Sequence, residues 1–531
     1  MAANTDDNKD FREVNLAEHD EDTQSQIKMA LAAGAKGHTK SADVAMKLFE
    51  NHDINEIVDP AEQKRVVRKV DWFIIPMIAV NYIFFYIDKT TLSYAALYGI
   101  REDLNLTGSQ YSWLSSIFYF GFLAWAFPTN FLMQKYPLGK YLGANIILWG
   151  VFLMLQAACS SFATLAVLRF LSGAAEACAD PAFMLITQMW YTRRQQPLRI
   201  GLWYLGNGFG IAVGGLLGYG IGNIQASIPS WKFEFIIIGA LCICWGIVIM
   251  ILMPDSPVTA KFLKDDDKRI VVARLKDNQT GVENKHLKPY QVWDAFKDPK
   301  LYLFYILGTV CNLPNGGISN FGTLIVRGIF DSNLTAAAMQ APYGAFIALS
   351  IGICVYLNDR FPNNNRCKFV LLFLCPNIAG SFGLNFVPEN QHAGRYICYL
   401  LTGPYNAAFV LILSLQIANT AGHTKKVVTN AVLFLGYCTG NIAGPFFYIA
   451  DQAPNYELGI WSMTVSHLLE VVVICLLWFL LSKENKRRDR VQGHEGLTAE
   501  QLLEKRKAEG YERTAFEDLT DRENLNFRYI Y

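Results

Sequence analysis

The sequence predicts an all-α membrane protein in which twelve transmembrane helices form two pseudo-symmetric bundles of six. Three observations indicate this fold class. Of the 531 residues, 52% are hydrophobic and only 18% are charged, which is too apolar for a soluble enzyme of this size. The apolar residues gather in blocks of about 20, the length that a helix needs to cross roughly 30 Å of hydrocarbon. One long polar stretch, 255–299, divides these blocks into two sets of six.

The predicted spans are joined by polar connections, and a soluble fold would not need buried segments of such uniform length. In chain order, spans 1 to 12 lie at 71–90, 109–133, 141–160, 162–186, 199–222, 233–253, 301–326, 338–357, 368–387, 395–419, 427–450 and 458–481. The predicted domains are an N-terminal tail (1–70), a first bundle (71–254), a linker (255–299), a second bundle (300–481) and a C-terminal tail (482–531).

The pattern of basic residues predicts the orientation of the spans. If the N-terminus is cytoplasmic, the inner loops hold most of the Lys and Arg residues, including Arg193 and Arg194 after span 4. The positive-inside rule then places both tails in the cytoplasm, as an even number of spans requires. Sequons at Asn105 and Asn333 fall in predicted outer loops, whereas a third, at Asn278, falls in the linker. We expect a multi-pass protein of the plasma membrane that functions as a monomer.

Other classes of protein find little support. All eleven cysteines lie in or at the edge of the spans, where they are typical apolar packing residues. The sequence shows no metal-ligand spacing, nucleophile elbow or phosphate-binding loop, so we predict no metal, no cofactor and no enzymatic activity. A net charge of +1 gives no reason to expect nucleic-acid binding. An integral-membrane enzyme is a remote alternative.

Three weak internal echoes relate the two sets of spans. The loops after spans 2 and 8 read QKYPLGK and DRFPNNNR, and span 4 carries SGAAEA where span 10 carries TGPYNA. Spans 5 and 11 both contain a ladder of glycines four residues apart. Their common order indicates duplicated six-helix units, the parallel repeat of a transporter that works by rocking.

The glycine ladders mark either loops or helices that need close backbone contact, because each glycine costs a helix about 1 kcal/mol relative to alanine. Glycines four apart trace a drifting groove suited to a close helix crossing, and Gly208, Gly215 and Gly222 form a second stripe. We expect spans 5 and 11 to pack tightly at the moving interface between the halves. The ladder residues are Gly206, Gly210, Gly214, Gly218 and Gly222 in span 5 and Gly436, Gly440 and Gly444 in span 11.

Span 4 carries three charged residues, Arg169, Glu176 and Asp180, in an otherwise apolar segment. Each ionised group at the bilayer centre costs on the order of 2.5 to 3.5 kcal/mol, so these side chains are expected to face protein or water. Their spacings of seven and four place them on one helical stripe, which we interpret as the lining of a cavity. The alternatives are that Arg169 and Glu176 neutralise each other or a neighbouring helix, and that Asp180 lies at the cytoplasmic boundary.

Span 1 ends with a second charged pair, Asp88 and Lys89. These residues are either interfacial at the outer surface or, because apolar and small residues continue to Leu97, inside a longer helix. In the second case Lys89 suits a substrate carboxylate and Asp88 a transferable proton.

Polar residues in the second half complete the candidate site. Span 7 combines Asn312 and Asn315 with a proline and paired glycines, which predicts either a gate with polar substrate contacts or a simple kink. Tyr405 and Asn406 in span 10 are further candidates for substrate contacts.

Several motifs carry a family resemblance. They are IVDPAEQKRVVRKVDW before span 1, YIDKTTLSYAAL, QKYPLGKYLG, RFLSGAAEA, MPDSPVTAKFL after span 6 and the terminal FEDLTDRENLNFRYIY. From about residue 57 to its C-terminus the chain resembles the fungal anion:cation symporters of allantoate permease type, within the major facilitator superfamily. The resemblance implies the major facilitator fold, and it matches Arg169, Asp88 and Lys89 to motif residues of the family. Gln134 departs from the aspartate that many facilitators have after span 2.

We expect proton-coupled uptake of a small organic anion by alternating access, with the site near the midplane between the halves. Arg169 or Lys89 would hold the carboxylate, and Glu176 or Asp88 would take the proton. The resemblance implies a carboxylate, vitamin, ureide or short peptide as substrate. The alternatives are export of a metabolite from a biosynthetic pathway and, from another class, a nutrient sensor that binds without transport.

Overall fold

The computed structural model describes residues 60–192, 195–276, 288–361, 365–493 and 519–531. Most of the predicted N-terminal tail, the sequon at Asn278 and the basic residues Arg193 and Arg194 lie outside the described residues.

Most of the described part of the chain forms twelve long helical elements, with short helices between them. We call these elements rods, because some of them consist of two consecutive helices. The first half contains α1 (Pro60–Leu97), α2 (Gln110–Lys135), α3 (Leu138–Gln156), α4 (Phe162–Glu176 and Ala179–Trp190), α5 (Gln196–Tyr204 and Gly206–Gly222) and α6 (Ser230–Leu252). The second half contains α7 (Pro299–Phe330), α8 (Asn333–Ala338 and Gln340–Arg360), α9 (Arg366–Phe386), α10 (His392–Leu401 and Tyr405–Ala418), α11 (His423–Ala443) and α12 (Glu457–Val491). Two linker helices, Asp265–Lys276 and Pro289–Phe296, lie between the halves in sequence.

The rods correspond one to one to the predicted spans. Eleven of those described are long and apolar enough to cross a membrane by length and composition. The other, α7, has 32 residues and therefore sufficient length, but its asparagines and glycines make it more polar. Several rods extend beyond the predicted bounds: α1 continues to Leu97 and α12 to Val491.

α4 and α10 are interrupted at the motifs that echo each other in sequence. The break in α4, at Ala177 and Cys178, directly follows Glu176, and the break in α10, at 402–404, directly precedes Tyr405. Matching interruptions in matching helices are what duplicated six-helix units produce.

The glycine ladders are helical and, as predicted, pack closely against neighbouring helices. The ladder of α5 contacts α1 of its own half; an added Cβ at Gly210 would lie 2.6 Å from the Cβ of Tyr86. The ladder of α11 likewise contacts α7. Two members of the second stripe, Gly208 and Gly215, face the second half instead: an added Cβ at Gly208 would lie 2.5 Å from the carbonyl oxygen of Gly344 in α8. As predicted, α5 packs tightly between the halves, but it does so through Gly208 and Gly215, whereas its ladder packs within the first half. The sequence of a helix with two glycine faces does not reveal which neighbour takes which face.

The two ends of the bundle differ in how the halves meet. The start of α1 and the end of α12 lie at one end, the termini face, and the α1–α2 and α7–α8 connections lie at the opposite end, the far face. Hydrogen bonds close the far face between the halves, and we call this set the far-face gate. Its members are Ser93 to Thr323 (2.6 Å), Tyr111 to the Asn320 carbonyl (2.7 Å), Ser112 to the Pro445 carbonyl (3.0 Å), Ser116 to the Ile442 carbonyl (2.7 Å) and Asn333 to the Leu97 carbonyl (3.0 Å).

Residues 519–531, the C-terminal strap, pack on the termini face of the second half. Asn485 exchanges two hydrogen bonds with the backbone of Tyr529, and Asn419 does the same with Ile530. Arg488 donates to three strap carbonyl groups. The predicted polar C-terminal tail therefore ends in a segment that ties together the ends of α10 and α12.

Candidate functional site

Asp88 and Lys89 lie inside α1 and not at its end. The helix continues to Leu97, and the two side chains are 0% and 6% exposed. The structure thus matches the longer helix of the two sequence alternatives. A buried charged pair in a membrane helix requires partners from other helices, because isolated charges are costly there.

Lys89 is held by aromatic groups. Its Nζ donates a 2.7 Å hydrogen bond to the hydroxyl of Tyr437 in α11, which belongs to the other half. The ammonium also lies 3.9 Å from the ring centroid of Phe85 and 5.0 Å from that of Tyr86, distances that give cation–π attraction. Among the described residues, no carboxylate forms an ion pair with Lys89 within 4.0 Å. The cation is desolvated but not neutralised by direct contact.

Asp88 and Glu176 bring two carboxyl groups together. Trp149 of α3 donates its indole N–H to one oxygen of Asp88 at 2.9 Å. Glu176, 2% exposed, interacts electrostatically with Asp88, and neither of its oxygens accepts a bond from an N–H or O–H group in the described part of the chain. Two carboxyl groups form a hydrogen bond only when one carries a proton, since two carboxylates offer acceptors alone. The pair is therefore suited to share one proton.

Arg169 supplies a second buried cation, 3% exposed, from α4. Its Nε donates to the Leu114 carbonyl of α2 at 3.3 Å, and its guanidinium carbon lies 5.0 Å from the centroid of Phe118. Within the described residues, its Nη1 has no hydrogen-bond partner and it forms no ion pair with Glu176 within 4.0 Å. The alternative in which these two residues neutralise each other by direct contact is not the arrangement observed.

Asp180 is separated from the other two charges of α4 by the break after Glu176. It is partly exposed, whereas Arg169 and Glu176 are buried. It still interacts electrostatically with Lys89. The single continuous helical stripe that the spacing predicts is therefore interrupted, although the charges stay in one electrostatic cluster.

A small cavity lies between the charged residues Asp88, Lys89 and Arg169 and the second half. It lies between α1, α2, α4 and α7, and Asn320 presents there an amide oxygen without a donor among the described residues. Its lining residues are Asp88, Lys89, Ser115, Phe118, Tyr119, Arg169, Ser319 and Asn320. A second cavity, inside the first half, is lined by Glu176, Asn81 and Trp149 with apolar neighbours.

The polar residues predicted in α7 and α10 make three kinds of contact. Asn315 donates to the side chain of Asn441 at 2.7 Å and accepts from the Tyr405 hydroxyl at 2.8 Å, which forms a network inside the second half. Asn406 accepts from Asn207 of α5 at 2.8 Å, which joins the halves.

Asn312, by contrast, donates to the carbonyl of Gly308 in its own helix. α7 is continuous through Pro314, so the broken helix expected of a gate is absent from the described 299–330 segment.

The sequence alone did not identify Trp149, Tyr437 or the cavity-lining residues of α2. Hydroxyl residues at Ser112, Ser115 and Ser116 fall on one side of α2, and that clustering was the available signal for a polar face. An isolated tryptophan or tyrosine in an apolar span carries no such signal.

Comparisons with known proteins agree with this architecture. The profile of the Major Facilitator Superfamily matches residues 78–445. An uncharacterized transporter of Schizosaccharomyces pombe is 37% identical over 98% of both chains. The allantoate permease of Saccharomyces cerevisiae is 33% identical, covering 92% of this chain and 90% of that protein. The thiamine pathway transporter of the same yeast is 31% identical, over 88% and 86%.

A solved bacterial homolog of the human lysosomal transporter Spinster, inward-facing and unoccupied, has the same fold. The TM-score is 0.58 at 14% identity, with 80% of this chain and 97% of that chain covered. Matched by profile, by full-length relatives and by fold, the chain belongs to the major facilitator superfamily, in its fungal allantoate-permease-like family, and is a multi-pass membrane transporter and not an enzyme.

Proposed function

We propose that this transporter couples the uptake of a small organic anion to the entry of protons by alternating access. Lys89 and Arg169 bind the anion, and the carboxyl pair of Asp88 and Glu176 binds the proton. The termini face is cytoplasmic, the far face is extracellular, and the protein acts as a monomer in the plasma membrane.

The observation that carries the proposal is the electrostatic interaction of two buried carboxyl groups beside two cations that have no direct ion-pair partner among the described residues. With one shared proton, Asp88, Glu176, Lys89 and Arg169 have a net charge of +1, which attracts an anion. Without it their net charge is zero, and the attraction is lost. Proton and anion therefore favour each other's binding, which is the thermodynamic requirement of symport.

The chemistry of the cavity limits the substrate class. Two cations and the aromatic rings of Phe118 and Tyr119 suit a carboxylate. The relatives named for allantoate and for the thiamine pathway make ureides and vitamins the first compounds to test.

Uptake by permease-deficient cells tests the proposal. Carboxylates, vitamins, ureides and short peptides are offered to cells that express the chain, and the compound taken up is then assayed with and without an inward proton gradient. We expect uptake to increase with the gradient, and the increase to disappear in Glu176→Gln and Asp88→Asn. Uptake that is independent of the gradient, or a gradient effect that persists in both variants, refutes the proposal.

A further inference from the structure

We propose that Tyr437 is a positioning residue that senses whether Lys89 is occupied and closes the far-face gate when it is empty. The inference rests on the proposed function in one respect only, namely that an anion binds Lys89. It adds a residue of the second half to a site whose charged groups all belong to the first.

The first step is the partner of the Lys89 ammonium. Among the described residues its Nζ donates one hydrogen bond, to the Tyr437 hydroxyl at 2.7 Å, and that bond crosses from one half to the other. The remaining contacts of the ammonium are with aromatic rings, including that of Tyr437 itself at 5.5 Å. The strongest directional contact of Lys89 is therefore with a group that moves with the second half.

The second step is how Tyr437 is held. Its ring stacks on Phe434 with centroids 5.3 Å apart and lies 6.0 Å from the ring of Phe409 in α10, so the second half fixes its position. Across the interface the ring of Tyr119 in α2 lies 6.2 Å away, edge to face. Tyr437 is only 8% exposed. Because packing holds the ring, the hydroxyl is a rigid extension of the second half.

The third step is the position of this bond relative to the gate. Lys89 precedes Ser93 by one turn of α1, and Tyr437 precedes Ile442 by a little over one turn of α11. Ser93 and the Ile442 carbonyl both take part in the far-face gate. The Lys89–Tyr437 bond thus lies next to the far-face gate, one turn closer to the middle of the bundle. Unlike the hydrogen bonds of the gate, it has a charged donor.

The fourth step is competition. A carboxylate forms a shorter and stronger hydrogen bond with an ammonium group than a neutral hydroxyl does. An anion that takes Lys89 therefore replaces Tyr437, and the far face then opens more easily. When no anion is bound, Lys89 again donates to Tyr437, and this bond favours closure of the far-face gate. The position of the gate therefore depends on whether Lys89 binds an anion.

Labelling of a buried reporter in the gate tests the inference without any substrate. Ser93, 1% exposed, is replaced by cysteine, and the full-length chain in lipid nanodiscs is treated with a water-soluble maleimide. The same chain without the reporter gives the background from native cysteines. Tyr437→Phe is compared on the reporter background with Lys89→Met, with the double variant, and with Tyr399→Phe. This control loses a buried hydroxyl whose bond, to Gln340, stays inside the second half.

We expect Tyr437→Phe and Lys89→Met each to increase the labelling rate about tenfold, which corresponds to about 1.4 kcal/mol. The double variant should label no faster than either single variant, because all three lack the same bond. Tyr399→Phe should label at the parent rate.

An unchanged rate in Tyr437→Phe, or effects that multiply in the double variant, overturns the inference. If Tyr437→Phe does not fold, Lys89→Met tests the same bond from its other end, and a parent-like rate there also overturns it. Because no substrate is present, either result is independent of whether the chain carries anions with protons.

Discussion

Replacing Asp521 by asparagine is expected to release the C-terminal strap. The Asp521 carboxylate is fully buried on the termini face, where it pairs with Lys300, lies 2.9 Å from Lys425 and accepts a 2.7 Å bond from the Tyr529 hydroxyl. Burial alone would raise the pKa of this carboxyl, but the two ammonium groups outweigh it and lower the pKa from 3.8 to about 2. The folded state therefore favours the ionised form.

The size of the effect follows from that difference in pKa. A drop from 3.8 to about 2 corresponds to about 2 kcal/mol of stabilisation of the docked strap by the charge. This stabilisation is fully present above pH 3.8 and is lost as the pH falls through about 2. At neutral pH, removing the charge therefore removes all of it. Asparagine keeps the shape but not the charge, and about 2 kcal/mol corresponds to an open fraction about 30-fold larger.

Hydrogen exchange of the strap measures this fraction. The amides of Tyr529 and Ile530 are protected by bonds of 3.0 and 2.8 Å to Asn485 and Asn419. Both should exchange about 30-fold faster in Asp521→Asn at pH 7, and together, because the strap opens as a unit. Asp359→Asn, at an exposed site, is the matched control. Exchange at the parent rate in Asp521→Asn would refute the electrostatic docking of the strap.

Three further predictions concern the halves and the site. Gly208→Leu should abolish uptake while surface expression is retained, because the leucine side chain would enter α8. Gly220→Leu should transport normally, because an added Cβ at Gly220 has no neighbouring atom within 4 Å. Equal uptake by both variants would count against a tight α5–α8 contact. Arg169→Lys should retain the charge but lose the Nε bond to α2, so we expect the KM for the anion to rise about tenfold with little change in maximal rate. Arg169→Gln should lose uptake. A parent-like KM in both variants would show that Arg169 is not part of the site. Asn207→Leu should lower the melting temperature of the detergent-solubilised protein by a few degrees, because it leaves Asn406 without its partner across the halves. The control Asn130→Leu, at an exposed position, should leave the melting temperature unchanged. Equal melting temperatures of the two variants would contradict a stabilising role for the Asn207–Asn406 bond.

Much of the fold follows from the sequence because the bilayer imposes it. Apolar blocks of helical length and a single polar linker determine the twelve rods and their division into halves. The bounds were less accurate: α1 begins at Pro60, before its apolar block, and α12 continues to Val491, after its own, as polar helix, and apolar length does not report where such a helix begins or ends.

The candidate site was predicted in part. Asp88, Lys89, Arg169 and Glu176 stood out because charges are rare in membrane helices, and the structure brings all four together. Trp149 and Tyr437 did not stand out, because their roles depend on which helices become neighbours. The same dependence explains the ladders of α5 and α11, whose small residues predicted close packing but not the partner helix.

Proton movement driven by the anion tests the central claim most directly. The purified chain is reconstituted in liposomes that contain a pH-sensitive dye, with no initial pH gradient, and the anion identified by the uptake screen is added outside. We predict that the lumen acidifies as the anion enters, and that Glu176→Gln gives no acidification. Anion accumulation without acidification, or acidification by Glu176→Gln at the parent rate, would contradict proton coupling through the Asp88–Glu176 pair.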